Sequence, residues 1–170
     1  MAAASGVMTS RVGYCGGVTP DPTYRRVCSN PEWQDWAEAV QVDFDPKMTS
    51  YNELIDLFWK SHHFATGSGK RQYMSAIFCH DEEQLKIARD SHERKMTEKH
   101  GRVSTVVELA TDFYEAEAYH QKWLLQRKAN WFRSLEMTDA RDMIESRAAS
   151  RLNAFVAGAI GEKEMAGYVM

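Results

Sequence analysis

Cysteine is scarce in this chain: Cys15, Cys28 and Cys79 are the only three in 170 residues, and their spacing is irregular. An odd number so distributed argues against a disulfide scaffold, and the absence of a C-x-x-C pair removes the commonest cysteine metal pattern. Excess charge is missing too. The formal net charge is -3, with acids and bases interspersed, so no electrostatic footprint for nucleic acid or an anionic membrane is present and neither is an expected partner. No apolar run approaches the length of a membrane span, and the opening MAAASGVMTS has neither a basic n-region nor an apolar h-region. The compartment this implies is cytoplasmic, or organellar if a targeting segment lies upstream of these residues. No repeat or low-complexity tract is visible. At this length the chain can bury a real core, and its composition is that of a globular protein.

The best organised stretch runs from Ala37 to His63. Val40, Val42 and Phe44 alternate with Ala39, Gln41 and Asp43, which is the two-residue period of a half-buried strand. Pro46 ends it. Ser50 and Glu53 then make a capping box ahead of Leu54, Leu57 and Phe58, so a helix starts there. Glu38 shares the parity of Val40, Val42 and Phe44. A carboxylate on an apolar face is costly unless paired, and such a site favours its protonated form; the bland alternative is a strand-end carboxylate that reaches solvent.

Elsewhere the reading is coarser. Residues 1 to 10 receive no element, and Arg11 to Tyr14 reads as a short strand interrupted by Gly16 and Gly17. Val18 to Asp35, with Pro20, Pro22 and Pro31, reads as a long loop, and the aromatics in and beside it, Tyr14, Tyr24, Trp33 and Trp36, either wall a site or pin the loop to the body. A glycine-rich break at 65 to 71 precedes a strand from Tyr73 to Cys79, covered on both faces. Asp81 and Gln84 cap a helix carrying Leu85, Ala88, His92 and Met96 and ending at Gly101, with His92 a packed or surface residue rather than a ligand. Val103 to Leu109 reads as a strand. Glu115 to Leu135 reads as a helix with a break near Asn130, and Thr138 as the cap of a last helix ending at Gly158.

Six blocks, RVGYCGG, PTYRRVCSN, AEAVQVDFDP, SYNELIDLFWKSH, QYMSAIFCHDEEQ and FYEAEAYHQKWL, resemble in order and spacing the A-type peptide methionine sulfoxide reductases, from about Gly6 to Leu124. The resemblance implies an α+β fold: a mixed sheet with a ferredoxin-like βαβ unit and helices packed on it. It divides the chain into a reductase-like domain, 1–124, and a C-terminal helical extension, 125–170. It implies thiol-dependent reduction of methionine S-sulfoxide, free or in proteins, with Glu38 as the acid and Tyr14 and Tyr73 holding the oxygen. It also implies a sulfenic acid resolved by a second thiol, thioredoxin or another dithiol as reductant, and no bound cofactor or metal.

The sequence departs from the family pattern in several places. The nucleophile motif GCFWG is not among these residues, Ser68 stands where the family has aspartate, and Trp36 replaces the histidine before the family glutamate. No cysteine follows Cys79. Truncation and divergence both account for this, and the internal changes favour divergence. Cys15, beside Tyr14, is the candidate for a substitute nucleophile, although alternation aims the two side chains to opposite faces. The expectation is a chain without appreciable turnover; the alternative is a binding or structural subunit on the same fold. A sheet edge short of a strand is expected to be covered by the C-terminal helices, a protein partner or a second copy.

Overall fold

The computed structural model describes residues 1–137 and 139–166. By contacts they form two compact units, one of residues 13–39 and 51–115, the other of 1–12, 40–50 and 116–170.

In the first unit the sequence signals of residues 76–109 become a parallel crossover. Strand β3, Ala76–Cys79, pairs with β4, Val106–Leu109, in the register Ala76↔Val106 to Cys79↔Leu109. Helix α3, Glu82–Glu98, joins them, supplying the long connection that a parallel pair needs. Its start is set as expected: the Asp81 side chain accepts from the Gln84 amide at 2.8 Å, and Gln84 returns by accepting from the His80 amide at 3.2 Å. Its end is set by Gly101, at φ +78° with its N–H on the Met96 carbonyl at 2.8 Å. Helix α2, Tyr51–Ser61, presents Ile55 and Trp59 to Ile77, Cys79, Leu85 and Ala88, and these residues form the core. The Trp59 indole N–H donates to Ser91 Oγ at 2.8 Å, so the ring is buried without an orphan donor.

Three expectations in this unit are corrected. The strand foreseen from Tyr73 begins at Ala76, because Arg71–Tyr73 is a 3-10 turn. The strand foreseen from Val103 begins at Val106. The stretch 18–35 is not one irregular loop: Tyr24–Ser29 is helix α1, capped by Thr23, whose side chain accepts from the Arg26 amide, and Pro31–Trp33 is a 3-10 turn. Local side-chain-to-backbone bonds organised a segment that has no hydrophobic period.

Strands β1, Val7–Cys15, and β2, Ala37–Phe44, lie in a three-stranded sheet of order β2-β1-β5 with β5, Tyr114–Glu115. Gly13 pairs with Glu115 and Tyr14 with Tyr114, antiparallel. The apolar face expected on β2 is not buried where expected. Ala37 is enclosed, whereas Glu38 is exposed and Val40 is 51 % exposed. Alternation locates the two faces of a strand but not which one the fold covers.

In the second unit β1 begins at Val7, fully buried, inside a stretch read above as having no element. Arg11 pairs with Asp43 at 3.0 Å and donates to Gln41 Oε1 at 2.7 Å. The long helix expected over Glu115–Leu135 is replaced by a 3-10 turn at Ala118–His120, α4 at Trp123–Gln126 and α5 at Ala129–Ser134. Two buried polar residues impose the break. Gln121 donates to the Val12 and Ala116 carbonyls at 2.8 and 2.9 Å, while Lys122, in the left-handed region at φ 47°, donates through Nζ to the Ser10 and Ile144 carbonyls. These tertiary bonds override helix propensity. The Thr138 cap lies outside the described residues. Asp139 caps α6, Ala140–Glu145, and Ser146 caps α7, Arg147–Val156, after which Gly158 at φ +70° ends the run; α8 is Glu162–Ala166.

Candidate functional site

Arg71 is the residue on which the site is hung. Its guanidinium donates to the Asp35 carbonyl at 2.6 Å, the Gly16 carbonyl at 2.8 Å and Glu108 Oε1 at 2.8 Å. Three fixed acceptors match the planar fork of an arginine. They hold the 3-10 turn that presents Gln72 and Tyr73.

The segment that Arg71 holds is pinned by polar bonds as well. The Trp36 indole N–H donates to the Thr19 carbonyl at 2.9 Å, the Trp33 indole to the Pro20 carbonyl at 2.8 Å, and Asp35 Oδ2 accepts from the Val18 and Thr19 amides at 2.7 and 3.0 Å. Partial burial works against the Asp35 charge, but its hydrogen bonds, those from the Val18 and Thr19 amides foremost, together outweigh it and its carboxyl is held below the usual range. Trp36 is buried and meets Tyr114 edge-on, with centroids 5.3 Å apart. The tryptophans therefore pin this segment, which was one of the two roles open to them.

The chemistry gathers around Gln72. Gln72, buried, donates through Nε2 to Glu38 Oε1 at 2.6 Å and to Cys28 Sγ at 2.9 Å. Tyr24 hydrogen-bonds the same sulfur, and its phenol is pushed up by Cys28 first, then by Tyr73 and Glu38. Tyr73 is pushed up by desolvation and then by the Glu38 and Cys28 charges. Both phenols are open, Tyr73 at 59 % and Tyr24 at 41 % exposure, so a ligand can reach them. An acid with one oxygen fixed, two phenols and a thiol in one cluster can hold a polar oxygen and hand it a proton.

Of the candidate residues, Glu38 and Tyr73 lie in this cluster. Tyr14 lies in β1, only 2 % exposed, opposite Tyr114. Cys15 is enclosed next to it, its sulfur 3.8 Å from the Thr111 carbonyl, and burial pushes its thiol up. Cys28 and Gln72 were not foreseen, and Tyr24 was foreseen only as an aromatic that could wall a site. A signal for Tyr24 and Cys28 existed: they are four residues apart and share one face of α1, but only if residues 24–29 are read as helix. Among the described residues no group of His, Cys, Asp and Glu could hold a metal ion, and no helix is long and apolar enough to cross a membrane.

The family model for peptide methionine sulfoxide reductase matches residues 1–152. This chain belongs to that family. It is 39 % identical over 164 residues to the peptide methionine sulfoxide reductase of Drosophila melanogaster, covering 94 % of this chain and 63 % of the fly protein. It is 41 % identical over 128 residues to the peptide methionine sulfoxide reductase MsrA of Methanothermobacter thermautotrophicus, covering 70 % of this chain and 73 % of that one. Among solved structures, reduced Mxr1 from Saccharomyces cerevisiae superposes with a TM-score of 0.64 at 30 % identity, over 72 % of this chain and 73 % of Mxr1. The methionine sulfoxide reductase A of Corynebacterium diphtheriae also gives 0.64 at 30 % identity, over 74 % and 66 %. The α+β fold is thus that of the reductase family, its described strands divided between a three-stranded and a two-stranded sheet.

Proposed function

We propose that the protein reduces methionine S-sulfoxide, with Glu38 giving the proton to the sulfoxide oxygen and Tyr24 and Tyr73 holding that oxygen. The observation that carries this reading is the exposed Glu38 carboxylate, fixed by Gln72 beside two open phenols. In the reaction a thiol attacks the sulfoxide sulfur, the S–O bond breaks, and the oxygen leaves as water after taking two protons. The sulfoxide gains two electrons and becomes a thioether, and a pair of thiols loses them and becomes a disulfide. Thioredoxin or a small dithiol is the reductant of this reading, and no resident cofactor takes part. Tyr24 takes the place given to Tyr14 by sequence resemblance. Cys15 has no role, because it is enclosed and its thiol is pushed up. Residues 1–124 carry the site, and 125–170 extend it with helices.

A second reading, a module that binds the sulfoxide without turnover, draws support from the thiols: Cys15 and Cys79 are buried, and Cys28 has its sulfur engaged by Gln72 and Tyr24. Incubation with a methionine-S-sulfoxide peptide and dithiothreitol separates the two. Repeated turnover that Glu38→Gln lowers by about 100-fold or more, in the range general acid catalysis supplies, supports the reductase. Saturable peptide binding with no methionine formed supports the module, and neither binding nor turnover rejects both.

A further inference from the structure

A fully enclosed glutamine amide is unusual cargo for the rim of an open site, and its contacts are specific. Gln72 is 3 % exposed, and one nitrogen, Nε2, serves both Glu38 Oε1 and Cys28 Sγ. An ionised carboxylate only accepts, so the amide must turn its nitrogen, not its oxygen, toward Glu38. The second N–H then falls on the Cys28 sulfur, which blocks rotation of the amide. Behind it, Arg71 fixes the backbone of the same turn through the Asp35 and Gly16 carbonyls. The amide is therefore held at the backbone by Arg71 and at its tip by Cys28.

With Oε1 taken by an N–H, the proton of the acid has to ride on Oε2, and the plane of the carboxyl group is set. We infer that Gln72 is the positioning residue of the Glu38 acid, selecting Oε2 as the oxygen that carries and delivers the proton, with Cys28 as the anchor that keeps the amide in orientation. This inference rests on the reductase reading above. It adds a residue whose effect passes through Glu38 rather than through contact with the sulfoxide. A glutamine that only satisfied its own buried amide would behave differently: its loss would weaken the fold and would be felt equally with or without the Glu38 carboxyl.

The test is a double-mutant cycle on single-turnover reduction of a methionine-S-sulfoxide peptide, with the thermal midpoint of each variant recorded alongside. Gln72→Met, which keeps the length and loses both N–H groups, is expected to lower the rate of the chemical step about 10- to 100-fold, the scale of a slightly misplaced catalytic group, with the half-saturating peptide concentration within about threefold. In the Glu38→Gln background the same substitution is expected to cost less than about twofold, because the group it positions is gone. Cys28→Ala, which leaves Gln72 in place, should give a smaller loss that also vanishes in that background, and it decides the matter if Gln72→Met does not fold. Equal losses in both backgrounds, or no loss from either substitution, would overturn the inference while leaving the reductase reading intact. A wild-type protein without turnover removes that reading, and this inference falls with it.

Discussion

Two parts of the same unit are held together by different physics. The crossover of β3, α3 and β4 rests on an apolar contact between Ile55 and Trp59 of α2 and Ile77, Cys79, Leu85 and Ala88. The segment from Gly17 to Glu38 buries only Gly17, Pro22, Val27, Trp36 and Ala37 and is tied by indole, carboxylate and guanidinium bonds to backbone groups. Apolar burial is non-directional and scales with area, so it stabilises without fixing any one atom. Hydrogen bonds contribute about 1 kcal/mol each but are directional. The first part supplies stability, the second supplies placement, and Glu38, the acid of the proposed reaction, belongs to the second.

The largest expected effect lies in the apolar part. Trp59→Ala removes a buried ring and leaves Ser91 Oγ without its indole partner, and losses of about 3–5 kcal/mol are usual for such truncations. Chemical denaturation of the variant should show a midpoint shift of that size with little change in slope. A loss under about 1 kcal/mol would mean that the Trp59 cluster is not what holds the crossover.

The placement side breaks at Gly17. A Cβ built there would stand 2.3 Å from Trp36 Cδ2 and 2.5 Å from Cε2, inside a ring that is buried and tied to Thr19 and so has nowhere to yield. Gly17→Ala should cost about 1–3 kcal/mol, the range for overpacking. Because Trp36 lies two residues before Glu38, its loss of sulfoxide turnover should exceed that of Trp59→Ala at a temperature where both variants are folded. Full activity in Gly17→Ala would show that the Trp36 pin does not position Glu38.

That contrast also explains what could be read from the sequence. The caps at Asp81 and Gly101, the apolar face of α2 and the strands flanking α3 were legible because caps and periods are local, and the structure keeps them with starts shifted by a few residues. Glu38 was legible as an anomaly on its strand, yet the strand face that carries it proved open. The break at Lys122 was hidden, since it depends on carbonyls of Ser10 and Ile144, 112 and 22 residues away. The Gln72 bridge was hidden for the same reason: Cys28 and Glu38 are 44 and 34 residues from it, with no shared period to connect them.

The smallest expected effect sets the core against strand β1, because each contains one enclosed thiol. Burial pushes up both Cys79, in the core, and Cys15, at the end of β1. Tyr51, whose phenol lies 3.6 Å from Cys79 Sγ, is pushed up as well, by desolvation first and then by that thiol. A thiol held above its unfolded value of 9.0 stays protonated in the native state while the unfolded chain gives up its proton. The unfolded state then binds fewer protons, so the stabilising term is whole below about pH 9 and is lost as pH rises through the native value. One such group contributes at most about 1.4 kcal/mol per pH unit to the slope. Stability measured by urea at pH 8, 9 and 10 should therefore fall across the upper interval. Cys79→Ala and Cys15→Ala should each flatten that fall, whatever their cost at pH 8. If the core is the less solvated of the two, Cys79→Ala flattens it more; equal slopes in both variants and the wild-type protein would mean that neither thiol is desolvated in solution, and that the core is as open to water as the end of β1.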